Sequence, residues 1–176
     1  MNRFNLATLL RNHRLVAGAI ALVAGLVIAT ALYFEHGLGM RPCLLCLYQR
    51  WPYYAGVPLA ALVAVFAVSE RVARGGLALV GLIFLGAAGL AAYHVGVEWG
   101  VFLGPSGCGG TPAAPAAGID AFLAQLETVR VIDCSQPAWI FLGLSMAGWN
   151  ALISLALGAL ALASAASVEP PVALTR

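Results

Sequence analysis

The chain has 176 residues, of which 62% are hydrophobic and 9% charged, with a mean hydropathy of +0.94. Soluble domains carry roughly 25% charged residues, so an ordinary globular protein is excluded and an integral membrane protein is expected. The formal net charge of +2 comes from nine arginines set against seven acidic residues, with no lysine, and the arginines are too scattered to form a nucleic-acid patch.

A bilayer-spanning helix needs about 20 mostly apolar residues. Four stretches meet that length, over about 15–34, 48–68, 75–95 and 138–164. The first has no charge between Arg14 and Glu35. It is longer than a signal-peptide core and lacks a clear small-x-small cleavage site, so a retained helix is expected. The third contains Gly81, Gly86 and Gly89, small residues that permit close helix approach. The fourth lies in an uncharged stretch from Cys134 to Val168, which leaves its ends loosely defined.

Arginine placement sets the orientation, because cytoplasmic segments are enriched in positive charge. Arg3, Arg11, Arg14, Arg71, Arg74 and Arg176 fall on one side, and Arg41, Arg50 and Arg130 on the other. Both termini are therefore expected in the cytoplasm, with loops at about 35–47 and 96–137 facing outward. Within the second loop, Gly104–Gly118 is rich in Gly, Pro and Ala, as befits an irregular connection. Ile119, Phe122, Leu123, Leu126 and Val129 then recur at helical spacing, which predicts a short amphipathic helix in the headgroup region. The expected fold is an all-α four-helix transmembrane bundle forming a single domain.

All four cysteines fall in the outer loops: Cys43 and Cys46 as a CxxC pair, Cys108 and Cys134 around the long loop. Three readings stand open on these residues. Two structural disulfides could staple the loops. A zinc site lacks a second close pair and a histidine pair. A dithiol relay could pass electrons from one pair to the other, since a CxxC places a resolving thiol beside an activated one. A four-residue CxxC closes little chain and makes a poor staple. Arg50 follows Cys46 by four residues, which puts both on one helix face if that segment is helical. The guanidinium could then stabilise a Cys46 thiolate, or could snorkel to the headgroups.

The segment Pro42-Cys43-Leu44-Leu45-Cys46-Leu47-Tyr48-Gln49-Arg50 resembles the Pro-Cys-x-x-Cys-x-Tyr-x-Arg motif of the DsbB family, inner-membrane thiol:quinone oxidoreductases. A second stretch resembles that family's approach to its fourth helix: Cys134, Trp139, Phe141-Leu142-Gly143-Leu144-Ser145-Met146 and Trp149. The resemblance covers nearly the whole chain. It implies catalytic cysteines Cys43, Cys46, Cys108 and Cys134, paired as Cys43–Cys46 and Cys108–Cys134. Cys46 would be the thiolate that engages a quinone, ubiquinone ahead of menaquinone, and Cys108 the point of attack by a periplasmic DsbA-like thiol oxidase. Arg50 and, by a weaker alignment, His94 would border the quinone; no metal is implied. Gln49 stands where some members carry an acidic residue, so no carboxylate at that position is essential here.

Of the tryptophans, only Trp51, next to Arg50, is placed to border a quinone ring, and membrane anchoring suits all four. A non-enzymatic tetraspan scaffold with two structural disulfides is the alternative reading. A vitamin K epoxide reductase-like protein fits less well, because here the CxxC comes first, by the second helix.

Overall fold

A computed structural model describes residues 6–106, 108, 118–119 and 133–167. The expected amphipathic helix beyond Ile119 lies outside the described residues. In chain order the elements are α1 (Leu6–Arg11), α2 (His13–His36), α3 (Leu44–Tyr48), α4 (Trp51–Phe66), α5 (Glu70–Glu98), β1 (Ile140–Phe141), β2 (Leu144–Ser145) and α6 (Met146–Ala166).

The charge-free runs become helices, and short polar residues start them. Asn12, Ser69 and Ser145 accept hydrogen bonds from the backbone N–H groups of Leu15, Val72 and Gly148, capping α2, α5 and α6. Three helices, α2, α5 and α6, are long and apolar enough to cross a membrane, with 24, 29 and 21 residues. The expected span at 48–68 is divided. Pro52 has no N–H to offer the preceding turn, and the helix is interrupted at Gln49–Arg50 before resuming as the 16-residue α4.

The expected span at 138–164 is also corrected: α6 begins only at Met146, and the fold is not wholly α-helical. Ile140 pairs with Ser145 and Phe141 with Leu144 in an antiparallel hairpin. Leu142 and Gly143 both take positive φ, 51° and 81°, as a two-residue turn matching strand twist requires. An apolar stretch that hydropathy reads as the start of a helix thus folds back on itself.

Helices α2, α4, α5 and α6 enclose one core of Ile20, Leu77, Val80, Phe84 and smaller residues. Leu22, Leu26, Leu82 and Leu155 point outward, as on a lipid-facing surface. Helices α5 and α6 approach closely at two glycines. A Cβ on Gly81 would meet Gly158 O at 3.2 Å and Leu162 Cγ at 2.7 Å, and a Cβ on Gly158 would meet Gly81 O at 3.1 Å. Gly86 and Gly89, expected to serve the same purpose, have open space where a Cβ would stand.

At the end of the bundle away from the cysteines, arginines close the helix ends. Arg14 donates to Ala64 O at 2.8 Å and Val65 O at 2.7 Å, and Arg74 to Ala165 O at 2.7 Å. These carbonyls belong to the last turns of α4 and α6, which otherwise lack partners and carry the negative end of the helix dipole.

Candidate functional site

The CxxC is built on the first turn of α3. Cys43 occupies the N-cap with extended backbone, and its Sγ accepts from the N–H of Cys46 at 3.2 Å. This local geometry brings Cys46 Sγ to 2.6 Å from Cys43 Sγ. The two sulfurs are adjacent without a bond between them, close enough for the expected disulfide to form. Cys108 and Cys134 are bonded to each other, with an S–S distance of 2.06 Å.

Both pairs share one buried apolar cluster, in which Cys43, Cys108 and Cys134 pack with Leu45 and Val97. Cys134 is only 1% exposed. The chain leaving α5 is folded back to bring Cys108 there. Tyr93 donates through its hydroxyl to Leu103 O at 2.7 Å, and the Phe102 ring stacks on Tyr93 at 5.7 Å. Gly96 leaves room for that ring, because a Cβ there would stand 2.3 Å from Phe102 Cδ2.

His94, whose alignment to the family was the weaker one, reaches the same place from α5. Its Nε2 lies 3.7 Å from Cys43 Sγ and 4.0 Å from a Glu98 carboxylate oxygen. On the other side of the ring, Gln49 Nε2 donates to His94 Nδ1 at 2.6 Å, and Asn150 Nδ2 donates to Gln49 Oε1 at 2.6 Å. The Tyr53 hydroxyl completes the series by donating to Asn150 Oδ1 at 2.6 Å. Gln49, Tyr53, Glu98 and Asn150 were not singled out as site residues from the sequence. The available signal was the presence of polar side chains inside apolar segments, which are costly there unless partnered.

In the dithiol form, the first charge settles on Cys43. The Cys46 thiol donating to it, with His94 and the Cys46 N–H, outweighs burial and lowers its pKa to about 5. The Cys46 thiol is pushed well up by holding that hydrogen bond and by burial. The expected Cys46 thiolate belongs to the state in which Cys43 is engaged elsewhere. The guanidinium of Arg50 pairs with the carboxylate of Glu35 at the end of α2.

The donor atoms of Cys43, Cys46 and His94 lie within 4.8 Å of one another. A structural zinc takes four protein ligands, and among the described residues this group supplies three.

Beside the thiols opens a mainly apolar cavity of about 490 Å³, within the range of small-molecule sites. Cys43, Cys46, Arg50 and His94 line it together with Trp139 and Trp149. Trp139 stacks on Phe141 at 5.3 Å, and Trp149 Nε1 donates to Phe141 O at 3.0 Å. The hairpin therefore forms part of the cavity wall. Trp51, the tryptophan expected nearest a quinone, is 70% exposed and does not line it. The walls are aromatic and aliphatic, and Arg50, His94 and the two thiols are among the polar groups that interrupt them.

Residues 13–164 match the family model described as "Disulfide bond formation protein DsbB". Among curated proteins called disulfide bond formation protein B, the one from Marinobacter nauticus is 31% identical over 149 residues, 79% of this chain and 83% of its own. The one from Xanthomonas campestris pv. campestris is 34% identical, over 78% of this chain and 81% of its own. That from Herminiimonas arsenicoxydans is 40% identical over a shorter match, 51% of this chain and 55% of its own. No solved structure gives a significant match.

Proposed function

This chain belongs to the DsbB family of disulfide bond formation proteins, and from that premise we propose that it is a protein-dithiol:quinone oxidoreductase of the bacterial inner membrane. It reoxidises a periplasmic DsbA-like thiol oxidase and passes the electrons to the quinone pool. In this reading α4 is the second of four spans, both termini are cytoplasmic, and the cysteine end of the bundle is periplasmic. The arginines gathered at the opposite end support that orientation.

The observation that carries the proposal is the meeting of both cysteine pairs in one buried cluster, beside an apolar cavity that Cys46 and Arg50 line. A thiolate of the reduced partner attacks Cys108, forming a mixed disulfide and releasing Cys134 as a thiolate. Cys134 attacks Cys43 of the closed CxxC, and Cys46 leaves as a thiolate. The partner's second thiolate then resolves the mixed disulfide and departs oxidised, freeing Cys108. Cys108 attacks Cys134, which restores the Cys108–Cys134 bond and leaves Cys43 and Cys46 as the reduced pair.

A quinone bound in the cavity would take two electrons and two protons from this pair and leave as quinol. The chain's residues set the conditions for that transfer. His94 and the Cys46 N–H hold charge at Cys43, the aromatic wall excludes water, and Arg50 presents a cation where negative charge would develop. The test is quinone reduction by the purified protein in detergent, with a reduced thioredoxin-like dithiol protein as donor. Turnover that disappears in Cys46→Ser is expected. No turnover with ubiquinone or menaquinone, by a folded protein with both disulfides formed, would instead favour a stapled scaffold.

A further inference from the structure

We propose that Gln49 is a positioning residue that fixes neutral His94 as the tautomer carrying its proton on Nε2, facing Cys43, through a one-way hydrogen-bond chain anchored in α3 and α6. The inference deepens the oxidoreductase reading and rests on it for its purpose, but its geometry stands apart from any substrate.

The direction of the chain follows from what each group can give. Gln49 Nε2 lies 3.3 Å from Leu45 O as well as 2.6 Å from His94 Nδ1. A carbonyl only accepts, so the amide nitrogen belongs on that side; flipping the amide would set Gln49 Oε1 against Leu45 O, two acceptors face to face. With this orientation Gln49 Oε1 faces Asn150 and accepts from Nδ2 at 2.6 Å. Asn150 Oδ1 then accepts from the Tyr53 hydroxyl at 2.6 Å, and the Ser154 hydroxyl donates in turn to the Tyr53 oxygen at 2.9 Å. The Gln49 amide gives its two hydrogens to Leu45 O and His94 Nδ1, each hydroxyl gives its one to a single acceptor, and no two lone pairs oppose each other.

At its far end the chain meets His94 Nδ1 with an N–H. A ring nitrogen that accepts cannot carry a proton, so in neutral imidazole the proton resides on Nε2. That nitrogen faces Cys43 Sγ at 3.7 Å. The opposite tautomer would present a lone pair to a sulfur that bears the negative charge. The other groups facing this pair are Glu98 from α5, with an oxygen 4.0 Å from Nε2, Cys46 from α3, and the backbone of Cys134, which the imidazole also meets. Arg50 is held by Glu35 of α2, while α4 and α6 supply the neutral Tyr53, Ser154 and Asn150.

A side chain that merely filled space at position 49 would leave the proton on His94 free to choose. The experiment is nitrogen NMR of histidine-labelled full-length protein in detergent, with the CxxC reduced, on wild type, Gln49→Leu and Gln49→Glu. Wild type is expected to show an Nε2–H ring with bare Nδ1. Gln49→Leu should show a mixture of tautomers, and Gln49→Glu a protonated Nδ1, because the carboxylate can only accept. The spectra are taken at a pH high enough to keep the imidazole neutral, since a doubly protonated ring has no tautomers.

A wild-type ring protonated on Nδ1, or signals unchanged in both variants, would overturn the assignment. Should Gln49→Leu fail to fold, the near-isosteric Gln49→Glu decides alone. The readout involves neither quinone nor partner, so a failure of the oxidoreductase reading would appear separately, as absent turnover with the tautomer intact.

Discussion

The guanidinium of Arg50 is held by the carboxylate of Glu35, across the gap between the CxxC segment and the end of α2, and both side chains are largely buried. The pair sits on the cavity wall. The cation is therefore fixed in place by its acidic partner rather than by Cys46, four residues before it.

Two substitutions separate the roles of that pair. Arg50→Met removes the cation from the cavity and is expected to lower quinone reduction on the order of 10²-fold, comparable to losing a donor to a developing anion. Glu35→Gln retains a hydrogen-bond acceptor for Arg50 and leaves the cation in place, so turnover should persist while the melting temperature falls slightly. Steady-state quinone reduction and thermal unfolding in detergent check both. Equal losses of turnover in the two variants would show that the pair acts as a unit.

The reduced CxxC should show a distinctive pH dependence. With its pKa lowered to about 5, Cys43 is a thiolate at neutral pH. Alkylation at Cys43 is therefore expected to proceed from neutral pH down to about pH 5 and to fade below it, while Cys46 stays unreactive. A folded-state pKa below that of the unfolded thiol means added stability above the unfolded pKa, lost as pH falls through about 5. Mass spectrometry of each cysteine after timed alkylation reads the two profiles. Preferential labelling of Cys46 would reverse the assignment of charge.

Much of the bundle was legible because burial in lipid leaves a crude signal: α2 and α5 follow charge-free runs bounded by caps. The hairpin at Ile140–Ser145 was not legible, because Ile140, Phe141, Leu142 and Leu144 satisfy hydropathy in either conformation. What separates the two is the left-handed backbone at Leu142 and Gly143. Spacing picked out Cys43, Cys46 and Arg50, but not the partner of Arg50, since Glu35 reaches it only after α2 and α3 are packed. Gln49 and Asn150 lie 101 residues apart in sequence and meet through a hydrogen bond between helices. No local pattern encodes that contact.

The α5–α6 contact gives a stability prediction with an internal control. Gly81→Ala places a methyl against Gly158 O and Leu162, so overpacking should cost about 1–3 kcal/mol. Gly86→Ala meets open space on the same helix and should gain up to ~1 kcal/mol from helix propensity. Unfolding of the two variants in the same detergent is the comparison to make. If Gly81→Ala were as stable as Gly86→Ala, the close approach of these helices would not be a constraint.

Access to the Cys108–Cys134 disulfide gives the last prediction. Both cysteines are buried, so a thiolate reaches them only after the chain following α5 lifts away. Tyr93 holds that chain through its hydrogen bond to Leu103 O, at an exposed site where water can replace the lost partner. Tyr93→Phe keeps the ring stacked on Phe102 and removes only the hydroxyl. Losing a hydrogen bond worth about 1 kcal/mol should raise the open population, and with it the rate of reduction by a small dithiol, about fivefold. The measurement is the rate of Cys108–Cys134 reduction by dithiothreitol, followed by thiol labelling. An unchanged rate would mean that opening begins elsewhere, and Phe102→Ala, which removes the packing over Gly96, would then test the other contact holding the same segment.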